Sequence, residues 1–110
     1  MQTVLLGEAI EHAPVAILVA DDEMRYVAAN ATASELLGYS RDELLRMRIT
    51  DIASYPEAEG EFEAMIHSGE LIGRTVVRLK DGSRRSLCHR SSEIKIAGLA
   101  YYVAVLWPEP

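Results

Sequence analysis

Asn30-Ala31-Thr32-Ala33-Ser34-Glu35-Leu36-Leu37-Gly38 runs directly into Tyr39-Ser40-Arg41-Asp42-Glu43-Leu44-Leu45. Two helix starts and one stop are written into this stretch. Asn30 is among the best N-cap residues, because its side-chain oxygen can accept from an orphan amide of the first turn. Gly38 is placed to end that helix, since glycine enters the left-handed region freely. Ser40 and Glu43 have the spacing of a capping box, in which each side chain bonds the other residue's amide. A second short helix through Met47 follows from it. Helices this short are not stable alone in water. They require a surface to pack on, and the rest of the chain supplies a sheet.

Upstream, Val15 to Ala20 is a continuous apolar run that reads as a buried strand. Asp21-Asp22-Glu23 is a polar turn, and Arg25 to Ala29 returns as a second strand. Before them, Thr3 to His12 spaces Leu6, Ala9, Ile10 and Ala13 as a helix. It ends before Pro14, which pushes its predecessor out of the helical region. Downstream, Ser54-Tyr55-Pro56-Glu57 repeats the helix-start logic, with proline tolerated in a first turn. Ala58, Phe62, Met65 and Ile66 then share one helical face, and Gly69 supplies a stop. Beyond that the period changes. Thr75, Val77 and Leu79 alternate with Arg74, Val76, Arg78 and Lys80, as in a strand with one protected face. Asp81-Gly82 is the strongest short-range hairpin signal. A long strand spans Arg84 to about Ile96, Ala97-Gly98 turns the chain, and Leu99 to Trp107 is β-rich up to Pro108. Helix, hairpin, short helices and three antiparallel strands make an α+β domain with helices gathered on one face of the sheet. Short helices over a curved sheet tend to enclose a cavity.

The composition narrows the function classes. The chain has 110 residues, 49% hydrophobic and 25% charged, which suits one compact core. The formal net charge of -6 argues against nucleic acid and against an anionic membrane surface. Arg74, Arg78, Lys80, Arg84 and Arg85 do cluster around a hairpin, where a solvated strand face is the plain reading. The one cysteine, Cys88, excludes an internal disulfide and a multi-cysteine metal site. It fits a reducing compartment. No basic start precedes an apolar run near Met1, and no apolar stretch is long enough to span a bilayer. The expected location is cytoplasmic. Neither a P-loop, nor Gly-x-Ser-x-Gly, nor His-Glu-x-x-His occurs, and His12, His67 and His89 are scattered. The expectation is a protein that is not an enzyme.

In order and spacing, four pieces resemble the PAS family: Ala16-Ile17-Leu18-Val19-Ala20-Asp21, Tyr26-Val27-Ala28-Ala29-Asn30, the block from Glu35 to Leu45, and Lys80-Asp81-Gly82-Ser83. The resemblance covers nearly the whole chain and is most specific at Gly38-Tyr39-Ser40. It implies a five-stranded antiparallel sheet, flanking helices and a pocket between them, in a domain that senses small molecules, light, redox state or oxygen, or mediates dimerisation. It divides the chain into a flanking helix over 1–13, the PAS domain over 14–107 and a tail over 108–110. The chain also departs from the pattern. Arg46 stands where many relatives have glycine. Trp107-Pro108-Glu109-Pro110 stands in place of the Asp-x-Thr that often couples the sheet to an output helix. No Asn-Cys-Arg segment precedes Ser54, which argues against flavin-cysteinyl photochemistry. His67 comes later than the haem-ligand histidine of oxygen-sensing relatives, which argues against haem. The cofactor is left unknown.

The pocket candidates are Leu18, Asn30, Phe62, Met65, Ile66, Thr75, Val77, Leu87, His89, Tyr102 and Leu106. Counted from the Asp81-Gly82 turn, Leu87, His89 and Ser91 face the pocket and Cys88 points outward. His89 can donate and accept toward a polar ligand. The competing reading bonds it to a neighbouring backbone group, or puts it outside, since a one-residue slip reverses every side chain. Asn30 reads first as a cap and second as a ligand contact. The last strand is apolar on both faces. Its Tyr101, Val103, Val105 and Trp107 therefore need cover, from the helix of Leu6 and Ile10 in the same chain or a second one. The sequence thus leads to a ligand-sensing domain that homodimerises and passes its signal to an effector such as a kinase, cyclase or regulator. The rival is a ligand-free module that dimerises or docks a partner.

Overall fold

The computed structural model describes residues 1–53 and 70–110. In chain order the elements are α1 (Gln2–Glu11), β1 (Ala16–Ala20), β2 (Tyr26–Ala29), α2 (Ala31–Leu37), α3 (Arg41–Leu44), α4 (Ile49–Ile52), β3 (Glu70–Arg78), β4 (Arg84–Ile96) and β5 (Leu99–Pro108). The strands form one five-stranded sheet in the order β2-β1-β5-β4-β3, with every neighbouring pair antiparallel. The expected α+β architecture is present, with the short helices and the N-terminal helix.

Local chemistry sets the helix ends. Asn30 Oδ1 accepts from the amide of Ala33 at 3.0 Å, and Gly38 closes α2 at φ 83°. Alanine at that angle would be strained, because a Cβ crowds the following carbonyl. The Ser40–Glu43 capping box is complete, with Ser40 Oγ accepting from the Glu43 amide at 3.1 Å and Glu43 Oε1 accepting from the Ser40 amide at 2.9 Å. The start expected at Ser54, the stop at Gly69 and the face of Phe62, Met65 and Ile66 lie outside the described residues.

The inner sheet face is set by alternation. Ala16, Leu18 and Ala20 of β1, Val77 of β3, Leu87 of β4 and Leu106 of β5 are buried, and Leu37, Leu44 and Ile52 come down on them from α2, α3 and α4. Each fully buried leucine contributes about 2 kcal/mol through its removal from water. The Asp81-Gly82 turn sets the β3–β4 register, pairing Arg78 with Arg84 and Thr75 with Leu87.

Four local readings change. α3 stops at Leu44, short of the expected Met47. Arg25 is not part of β2; it makes an isolated bridge to Arg48. β3 begins at Glu70, ahead of the visible alternation, because its pairing with β4 continues past Gly73 to Ser92. α4 went unanticipated, since Ile49, Thr50 and Ile52 are β-branched and weak helix formers. It forms because Asp51 Oδ2 accepts from the Arg48 amide at 2.8 Å and Ile52 enters the core.

α1 buries none of its residues, with Leu6 57% and Ile10 41% exposed. Its own sheet therefore does not take up this helix. It is held at its end, where Ile10 O accepts from Asn30 Nδ2 at 2.8 Å and Glu11 pairs with Arg41. No helix among the described residues is long and apolar enough to cross a membrane.

Candidate functional site

Thr75, His89 and Ser91 stand together on the inner face of β3 and β4, all three buried. Alternation from the buried Leu87 carries His89 and Ser91 inward, and the ladder sets Gly73 directly across from His89 and Leu71 across from Ser91. His89 Nδ1 lies 3.3 Å from Ser91 Oγ, which orients the ring; which of the two donates depends on the imidazole tautomer. Gly73 contributes no side chain opposite His89, and a Cβ there would meet nothing within 4 Å. Hydroxyls and an imidazole on an otherwise aliphatic wall cost desolvation unless they are hydrogen-bonded. Such a strip can donate to and accept from a polar group laid against it.

Tyr102 lies further along the same face, paired with Glu93 and packed against Met24, Ile49, Leu71 and Ala100. Burial pushes its phenol pKa up, and the carboxylates of Glu93 and Asp22 add to the shift. The hydroxyl thus stays protonated, a donor at neutral pH. Tyr26 is raised further, first by burial and then by Asp51.

Leu18, Val77, Leu87 and Leu106 pack with Leu37, Leu44 and Ile52 as continuous core. Asn30 is not a free ligand contact. Its Oδ1 accepts from Ile17 N at 2.9 Å and Ala33 N at 3.0 Å, and its Nδ2 donates to Ile10 O at 2.8 Å and Val15 O at 3.0 Å. Both acceptor positions and both donor hydrogens are used within the chain. The N-cap signal was readable in the sequence; the clamp joining α1, β1 and α2 through one amide was not. Phe62, Met65, Ile66 and His67 lie outside the described residues.

On the outer face, Tyr101, Val103, Val105 and Trp107 are all half-buried. Cys88 points the same way, between Arg74 of β3 and Trp107 of β5. Among the described residues no group of three or more His, Cys, Asp or Glu side chains is placed to hold a metal ion.

The family model described as "PAS domain" matches residues 14–98. Among solved structures, a PAS domain from a two-component sensor histidine kinase superposes with a TM-score of 0.89 at 17% identity, covering 98% of this chain and 96% of that one. The PAS domain of a Colwellia psychrerythraea protein gives 0.88 at 16% identity over 99% and 98%. The PAS domain of nitrogen regulation protein NR(II) from Vibrio parahaemolyticus gives 0.82 at 16% identity over 96% and 98%. No curated protein matches the sequence.

Proposed function

The chain belongs to the PAS family, and we propose that it is a sensory domain that binds a small polar molecule against the inner face of β3, β4 and β5. The observation that carries this reading is the strip of Thr75, His89 and Ser91 on an aliphatic wall, with Gly73 leaving room across from the imidazole. Three buried polar side chains grouped on one face of the sheet carry a desolvation cost that apolar core packing alone does not call for. Among the described residues, Thr75, His89, Ser91 and Tyr102 are the contacts proposed for it. Binding biases the sheet between two arrangements, and the ligand must prefer one of them to transmit anything.

The relay runs through a homodimer. α1 presents Leu5, Leu6 and Ile10 to solvent, and the outer sheet face presents Tyr101, Val103, Val105 and Trp107 half-covered. A second copy can bury both surfaces at once. The histidine kinase and nitrogen regulation relatives support an effector as the downstream partner. The same exposed apolar surfaces favour a second reading, in which the domain only dimerises and the inner face holds no ligand.

Native mass spectrometry of the purified protein, paired with a denatured run, tests both. Extra mass in the native spectrum alone, lost in His89→Leu, supports the sensor. A dimer mass with nothing added, unchanged by His89→Leu, supports the interaction module. A clean monomer refutes the relay.

A further inference from the structure

We propose that the outer face of the β3–β4 ladder docks an acidic polypeptide segment of a partner protein, read by Arg74, Arg78 and Arg84. This holds whether or not the inner face takes a ligand.

In a chain of net charge -6, these three arginines gather positive charge on one patch. Val77 and Leu87 are buried on the inner face, so the even-numbered residues on either side of them project outward. Arg78 and Arg84 are directly paired across the ladder, and Arg74 stands further back on the same face of β3, beside Cys88. Like charges directly opposite each other in a sheet are destabilising. Neither Arg78 nor Arg84 forms an ion pair among the described residues, although Lys80 beside them does so with Glu43 at 2.9 Å. A strand face that only needed solubility would be served by alternating signs.

Two further observations point to the occupant. Arg74 Nη1 already holds a carboxylate, that of Glu109, at 3.0 Å. The patch therefore accepts carboxylates in the geometry it has. Val76 is half-buried beside the arginines, paired with Ser86 between the Arg74 and Arg78 rows. Apolar ground between cations fits a polypeptide carrying both carboxylates and apolar side chains. A small anion such as phosphate would use only the charge. Glu109 acts as an internal competitor that an incoming acidic segment displaces from Arg74.

The test uses the whole chain and a dye-labelled Glu/Leu peptide, read by fluorescence anisotropy at low salt, with a Gln/Leu peptide as control. The Glu/Leu peptide is expected to bind saturably and to weaken as salt screens the exposed charges. Arg84→Glu is expected to weaken it about fivefold or more, the upper range for loss of an exposed ion pair. The same variant replaces a like-charge pair by an opposite one, so the fold is retained or strengthened, and lost binding cannot be laid to unfolding. Glu109→Gln is expected to tighten binding by freeing Arg74. Equal binding of the Gln/Leu peptide, or indifference to Arg84→Glu, overturns the proposal. So does binding of anionic vesicles in preference to the peptide, which assigns the patch to a membrane. A shift in dimer mass by Arg84→Glu without peptide binding overturns it in favour of a self-interface.

Discussion

Replacing Asn30 by aspartate separates two roles that the side chain combines. Aspartate is as good an N-cap as asparagine, so a residue serving only as the cap of α2 would lose almost nothing. In the structure, however, Nδ2 donates to Ile10 O at 2.8 Å and to Val15 O at 3.0 Å, and the residue is 4% exposed. The Asn30→Asp variant keeps the two acceptor bonds to Ile17 N and Ala33 N. It loses both donor bonds and turns a carboxylate oxygen toward two carbonyl oxygens. Two lost hydrogen bonds cost about 1 kcal/mol each, and the part-buried acceptors they leave raise this toward about 3 kcal/mol in all. Against a total stability of about 5–15 kcal/mol, that is a large fraction. Urea unfolding followed by far-UV circular dichroism and by the single tryptophan, Trp107, measures it. The midpoint is expected to fall with an unchanged slope. Asn30→Ala, which breaks all four bonds, is expected to cost at least as much. The pH dependence adds a sign. Repulsion raises the folded-state pKa of the introduced carboxyl above its unfolded value. Its destabilisation is then greatest at neutral pH and is relieved as pH falls through that raised value and the carboxyl becomes a donor. A change of less than about 0.5 kcal/mol for Asn30→Asp at neutral pH, the range of an ordinary surface substitution, would refute the clamp.

Other outcomes follow from single positions. Ala97 sits at φ 52° ahead of Gly98 at φ 81°, so the β4–β5 turn holds a non-glycine residue in the left-handed region. Ala97→Asn is expected to raise stability by about 1 kcal/mol, because Asn-Gly fits this turn and alanine is sterically strained there; thermal unfolding should show a rise of about 4 °C or more. Glu43 has its pKa lowered, first by the Ser40 amide and then by Lys80. A depressed carboxyl contributes stability that is full above its unfolded value and lost as pH falls through the folded one. Glu43→Gln should therefore flatten the acid limb of the stability–pH curve, and an unchanged limb counts against the pairing.

Much of the fold is legible in short stretches because the forces involved act within a few residues. Asn30 caps α2, Gly38 ends it, and Ser40 and Glu43 close their box for steric and hydrogen-bonding reasons that need no other part of the chain. The Asp81-Gly82 turn sets the β3–β4 register and so aims His89 inward. Where local chemistry is ambiguous, the reading stops. β1 is apolar throughout, so its period does not say which of Ala16, Ile17 and Leu18 faces the core. Pairing with β5, which sets Ala16 opposite Leu106 and Leu18 opposite Ala104, decides it. α4 is a helix of mostly β-branched residues, held by the Asp51 bond to the Arg48 amide and by burial of Ile52.

The site divides along the same line. Alternation counted from a recognisable turn is enough to put a histidine and a serine of β4 on the protected face of an antiparallel sheet. It could not decide which of the eleven pocket candidates were core. Leu18, Val77, Leu87 and Leu106 come from four strands, and whether they touch one another or line a space depends on the strand order β2-β1-β5-β4-β3. Tertiary structure also decided that Asn30 commits its amide to Ile10 and Val15, and that Glu109 reaches Arg74. These contacts join residues far apart in the chain. No local preference selects them, because each exists only once the burial of the sheet's inner face has brought its partners together.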